Sequence, residues 1–157
     1  MSNLDCNTPV GQGYIATQMA CLSRVEAVWN CKVFPTHGES SADVDALIIR
    51  DGVVSGVAEV KSREMSLDDL EGFGSYLITF EKLLKVRNVG MALQVPSFVI
   101  VSLLKDGQIV YWKLSDASGN FMATMEGKIT QTKATCNGGL IDRYNAYLSL
   151  KGMKVIA

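Results

Sequence analysis

Three charged residues are set into two strongly apolar strand candidates. Asp45 heads Ala46-Leu47-Ile48-Ile49, and Glu59 and Lys61 lie at the end of a run from Val53, with Asp51-Gly52 as the turn between. Strands this apolar are covered on at least one face, and a charge there is costly unless a metal, a partner or a water-filled cleft satisfies it. An Asp followed on the next strand by Glu-x-Lys can hold a divalent metal and activate a water. Asp45 and Glu59, with the Val60 carbonyl, supply hard oxygen ligands suited to Mg²⁺ or Mn²⁺. Lys61 is placed to orient or deprotonate the water, or to neutralise charge on the group under attack. The ordinary alternative is an ion pair between Glu59 and Lys61 on a solvated sheet face, worth about 0.2–1 kcal/mol. Asp45 would then be a turn or cap residue. The neighbours Val57, Ala58 and Val60 offer no polar face for that arrangement.

Side chains alternate along a strand, so Glu59 and Lys61 share a face, as do Asp43 and Asp45. A two-residue turn at Asp51-Gly52 pairs position 45 with 58 and turns Asp45 to the wrong side. A three-residue loop over Arg50-Asp51-Gly52, with Gly52 left-handed, pairs 45 with 57 and 43 with 59. A bulge at Gly56 is the other way to restore the parity. A metal site requires one of these two devices.

The elements around the pair follow from periodicity. Residues 12–30 form a helix candidate with Ile15, Met19, Leu22, Val25 and Trp29 on one side, and Glu26 projects into that stripe. Its carboxylate either lies at the edge of the core or faces a cleft. A short strand Lys32-Val33-Phe34 follows. A helical region spans about 67–93, with Ser66 as N-cap and Asp69 completing a capping box. Gly72 and Gly74 interrupt it, so the long helix begins near Ser75. Residues 97–104 and 108–114 form a hairpin around Lys105-Asp106-Gly107, and the tail holds further short strands with a turn at Asn137-Gly138-Gly139. The order is that of an α/β fold with a mixed sheet and helices packed on it.

At 157 residues the chain is expected to be a single domain, 1–157, long enough for a real core. The net charge of -1 shows no basic excess, so any nucleic-acid contact must come from a local patch. The tail supplies one: Lys128, Lys133, Arg143, Lys151 and Lys154 stand there against Asp142 alone, beside Tyr144 and Tyr147. Cys6, Cys21, Cys31 and Cys136 form no CxxC pair and the chain has one His, His37, so zinc is not expected and the cysteines read as reduced, mostly buried thiols. His37 reads as a solvated loop residue, and Trp29, Tyr76, Tyr111 and Trp112 read as core more than as base-stacking platforms. Tyr76 and Lys82, on the helix after the motif, are alternative residues to line the cleft or touch phosphate. With no apolar run of membrane-spanning length and no signal pattern, the expectation is a cytoplasmic protein.

Asp45, the Asp51-Gly52 turn and Glu59-Val60-Lys61-Ser62-Arg63, set in the order helix, Asp strand, Glu-x-Lys strand, helix, two strands, resemble the PD-(D/E)xK nuclease superfamily of restriction enzymes, Holliday-junction resolvases and phage exonucleases. Gly13 with its helix and Val33-Phe34-Pro35 look like the entry to that core. The resemblance covers about residues 12–114. It implies a restriction-endonuclease-like mixed central sheet flanked by helices (an αβββαβ core), with 115–157 as a C-terminal β-hairpin extension. It further implies a Mg²⁺-dependent deoxyribonuclease, Mn²⁺ substituting, that leaves 5′-phosphate and 3′-hydroxyl ends and acts as a possible homodimer. Many relatives carry a glutamate where this chain has Thr17. Glu26 is the expected replacement, with Asp43 and Glu39 as alternates. Val44 stands where the family name has proline. Arg63, Lys82, Lys133 and Arg143 are the expected DNA contacts. The compactness and the resemblance to stand-alone phage nucleases point to a viral or mobile-element protein. The competing reading is a nuclease fold without activity that serves as a DNA-binding or interaction module, and a third is an RNA-directed nuclease.

Overall fold

The computed structural model of the chain describes residues 9–36, 43–133 and 139–156. The first helix, α1 (Pro9–Trp29), opens on a proline, whose missing N–H costs nothing in a first helical turn. It ends where Asn30 takes a left-handed conformation, φ 50°. Strands β1 (Lys32–Pro35), β2 (Ala46–Arg50) and β3 (Val53–Arg63) follow as an antiparallel meander. Next come α2 (Leu67–Phe73), β4 (Ser75–Thr79), α3 (Phe80–Leu93), β5 (Ser97–Leu103) and β6 (Gln108–Ser115). The chain closes with β7 (Met125–Lys133), β8 (Leu140–Ser149) and β9 (Lys154–Ile156).

The main sheet has the order β1-β2-β3-β5-β6-β9, with β3 and β5 parallel and every other pair antiparallel. The parallel pair needs a crossover, and α2, β4 and α3 provide it. Both faces of the sheet are covered, so β5 and β6 read as nearly continuous apolar runs. On one face Cys21, Leu22 and Val25 of α1 pack with Ala58, Val60, Ile100 and Ile109. On the other, Leu83 and Val86 of α3 pack with Val57, Val99 and Val101. The α1 stripe is narrower than its periodicity suggests, and Met19 is exposed.

Two expectations require correction. The long helix does not begin at Ser75: residues 75–79 form β4, which pairs with β8 from Ser75↔Ser149 to Thr79↔Asn145. Tyr76, Ile78 and Thr79 are aromatic or β-branched and favour a pleated, half-buried surface, and Gly74, at φ 78°, ends α2 just before them. Two of the tail strands, β7 and β8, are not short either, although β9 is. β7 and β8 form a long hairpin that joins β4 in a second sheet of order β4-β8-β7, and β9 returns to the edge of the main sheet. The tail is therefore built into both sheets. The Ser66–Asp69 capping box forms as its spacing predicts, each side chain bonded to the other's backbone N–H.

Candidate active site

The β2–β3 turn has two residues, Asp51 at φ 51° and Gly52 at φ 75°, the conformation that a two-residue hairpin demands. The ladder starts in the unfavourable parity, Arg50↔Val53 and Ile49↔Val54, and then jumps to Ile48↔Gly56 and Ala46↔Ala58. Ser55 is the extra residue. The device is thus a bulge, centred one residue before Gly56, and the three-residue loop does not form. The ladder ends at Ala46↔Ala58, and Asp45, just outside it, bonds to Ala58 and Val60 on either side of Glu59 and acts on the Glu59 charge.

Asp45 is firmly held. Its N–H donates to the Ala58 carbonyl at 3.0 Å, and its carbonyl accepts from the Thr36 N–H at 2.9 Å. Its Oδ2 accepts from the Val60 N–H at 2.8 Å. Val60 therefore ties Asp45 to the Glu59 strand through its N–H, a role its place in the motif did not suggest. Glu59 is only 2% exposed. Lys61 keeps 25% of its side-chain surface, and its Nζ lies 2.8 Å from Glu59 Oε1. The ion pair is close but poorly aligned, so Oε1 has no well-formed hydrogen bond. Burial pushes the Glu59 carboxyl above its ordinary pKa and Asp45 adds to the rise, while Lys61 and, more weakly, Lys82 oppose it. A solvated surface pair does not describe this geometry, because the acid is buried against the core.

The site suits a divalent cation in kind. It has two neighbouring carboxylates, one of them buried, and Mg²⁺ is usually held by one or two carboxylates while keeping several waters. Among the described residues no group of three or more His, Cys, Asp and Glu is gathered.

The remaining candidates are dispersed. Lys82, on α3, is near enough to act on the charge of Glu59. Arg63, two residues beyond Lys61 on the same face, lies over the Tyr76 ring, 5.8 Å from its centroid. Asp43 faces Lys85 at 4.0 Å on the surface. Glu26 is not brought to Asp45 and Glu59. It sits on α1, against the opposite face of the sheet, in an open depression of about 800 Å³ shared with Arg50 and Asp51 at the turn end of the hairpin. Five strand residues separate Arg50 from Asp45, about 17 Å. The two acids of that depression, Glu26 and Asp51, are not buried as Glu59 is. Arg143 lies on β8. Glu39, His37, Cys6 and Cys136 fall outside the described residues, as does the side chain of Lys133.

Sequence reasoning placed Tyr76 on a helix, as a core residue or as one lining the cleft. Its ring does stack on Trp112, with centroids 5.4 Å apart. Yet it also lies beside Glu59 and Arg63, both of which act on its charge, and burial pushes its phenol up to about 12. The signal was available in the alternation of Ser75–Thr79, had those residues been read as a strand.

A family model described as "Phage putative PDDEXK endonuclease" matches residues 12–145, most of the chain. The chain belongs to this family. Its span reaches past the expected core end at Leu114 and takes in β7 and most of β8, so these strands are part of what the phage PDDEXK family shares. No curated protein matches the chain.

Proposed function

We propose that this phage-type PDDEXK protein is a divalent-metal-dependent DNA endonuclease that hydrolyses phosphodiester bonds at Asp45, Glu59 and Lys61 and leaves 5′-phosphate ends. The observation that supports this reading is that Asp45, bonded to Ala58 and Val60 on either side of Glu59, is near enough to act on the Glu59 charge, with the Lys61 ammonium 2.8 Å from Glu59 Oε1. Asp45 and Glu59 would hold Mg²⁺, with Mn²⁺ as a substitute. Bound there, the cation lowers the pKa of a water and offsets phosphate charge. Glu59 fixes the Lys61 ammonium at the mouth of the site, where it can orient that water or neutralise charge on the phosphate. Val57, Val99 and Val101 exclude solvent from the inner side of Glu59 and so strengthen each charge interaction there. Lys82 and Arg63 extend positive charge outward along the path of a phosphate backbone.

The test is cleavage of linear, supercoiled, single-stranded and branched DNA in Mg²⁺, Mn²⁺ or EDTA, beside Asp45→Asn, Glu59→Gln and Lys61→Met. Metal-dependent cutting lost in all three variants supports the reading. A wild-type protein that cuts nothing and binds no Mn²⁺ by calorimetry overturns it and leaves a nuclease fold used for binding.

A further inference from the structure

Beside the catalytic cluster, the second sheet and α2 enclose a groove of about 620 Å³, lined by Arg63, Tyr76, Thr132, Arg143, Asn145 and Tyr147 among others. This volume is in the range of sites that take small molecules, about 300–1,000 Å³, and is too small for a duplex. The Tyr76 hydroxyl and Thr132 Oγ1 lie beneath this lining, closed off from solvent.

The register of the second sheet brings Arg143, Asn145 and Tyr147 of the lining together, while Tyr76 pairs with Leu148 on the core-facing side. Tyr147 pairs with Leu77 and Glu126, Asn145 with Thr79 and Lys128, and Arg143 with Thr130, so these residues share one face. Lys128 Nζ lies 5.4 Å from the centroid of the Tyr147 ring and 3.4 Å from Glu126 Oε1, so its charge is partly offset. Asn145, 1% exposed, donates through Nδ2 to Thr130 Oγ1 and is locked in place. At the rim Phe73 is 70% exposed. Two guanidinium groups and the rings of Phe73 and Tyr147 on one small concave surface are what a nucleotide with its base unpaired requires: cations for phosphate and rings for stacking. The groove is continuous with the catalytic strand. Arg63 lines it and lies two residues beyond Lys61, a rise of about 6.8 Å, comparable to the step between neighbouring phosphates of an extended strand.

We propose that this groove receives an unpaired segment of the DNA strand next to the phosphate under attack, so that the substrate class is DNA with single-stranded character, such as an overhang, flap or frayed junction. This rests on the nuclease reading and narrows it. The experiment measures binding in EDTA by fluorescence anisotropy, with three probes: an oligo-dT single strand, a blunt duplex, and the same duplex with a single-stranded overhang. The expected result is at least tenfold tighter binding of the single-stranded and overhang probes. In Tyr147→Leu that preference should fall about tenfold, the loss of one base–aromatic stack, while Tyr147→Phe restores it. Circular dichroism melts check that both variants fold, and Phe73→Ser, at an exposed rim position, gives a second reading of the same loss. Equal affinity for blunt and overhang probes, or a preference unchanged in both Tyr147→Leu and Phe73→Ser, overturns the proposal. Because no metal is present, these results are independent of cleavage: a protein that binds overhangs but never cuts keeps the groove and loses the nuclease, and one that cuts blunt duplex without preference does the reverse.

Discussion

Glu59→Gln should distinguish a metal site from a structural ion pair, because the two predict opposite orders of stability. In EDTA the wild-type protein carries a carboxylate 2% exposed, opposed by Asp45, with an oxygen that lacks a hydrogen bond. A neutral amide removes the desolvation cost and the repulsion from Asp45, and gains a donor for that acid. The loss is the Lys61 pair. Removing one partner of a buried pair costs about 3–5 kcal/mol when the other charge is stranded. Lys61 is not stranded, since 25% of its side chain is open and the ammonium can turn to water. Glu59→Gln is therefore expected to be within about 1 kcal/mol of wild type in EDTA, or more stable.

A divalent cation should reverse the order. A ligand that binds only the folded state at a hundred times its Kd stabilises by about 2.7 kcal/mol. For a domain of this size that raises Tm by about 5–10 °C. The variant keeps one carboxylate of two and should lose most of the rise. The assay is thermal unfolding of both proteins by circular dichroism across Mg²⁺ and Mn²⁺ titrations, from EDTA to millimolar. A wild-type Tm that ignores both metals, with a variant less stable by about 3 kcal/mol or more in EDTA, would refute the argument and make Glu59–Lys61 a structural pair.

Other consequences are local. Gly90→Ala in α3 improves helix propensity by about 1 kcal/mol but drives a Cβ to 2.9 Å from the Val95 carbonyl and 3.3 Å from Val57 Cγ2. A net loss of about 1–2 kcal/mol in urea titration is expected, and a gain would show that α3 is loosely seated. Asp69 accepts from the Ser66 N–H and from Lys105, and these bonds hold its carboxyl below the ordinary 3.8. Its stabilisation is present above 3.8 and is lost as pH falls through the lower folded value, so the urea-midpoint gap between wild type and Asp69→Asn should close towards pH 3. A gap that stays constant with pH would reject that role. Burial pushes the Cys21 thiol up to about 11, so at pH 8 about one molecule in a thousand carries the thiolate. Peptide mapping after brief iodoacetamide treatment should find Cys21 unlabelled in native protein and labelled in urea. Native labelling would contradict its burial.

The motif residues were legible because their spacing expresses a period. Glu59 and Lys61 are two apart in a strand whose other residues are apolar, and the charges could only be aligned or wasteful. The Ser66 capping box was legible for a similar reason, since a cap is a local bond between residues three apart. Ser75–Thr79 was misread because its alternation is only five residues long and follows two glycines that also suit a break before a helix. What makes them a strand is β8, about seventy residues later, and no local pattern reports a partner at that distance. Glu26 misled in a different way. A carboxylate within an apolar helical stripe is compatible with either face of a sheet, and the periodicity of α1 cannot say which face the helix covers.

The bulge shows most clearly where local information ends. Asp51 and Gly52 both accept positive φ, which favours a two-residue turn, and that turn by itself pairs position 45 with 58. In that register Asp45 would turn towards α1, among the packing partners of Ala58 and Val60, and no carboxylate pair would exist. Ser55 reverses the parity, and the next residue, Gly56, makes room: a Cβ there would stand 3.1 Å from Phe98 Cε2 and 3.3 Å from Ile48 Cδ1. The turn and the site thus make conflicting demands on one strand, and a single inserted residue reconciles them.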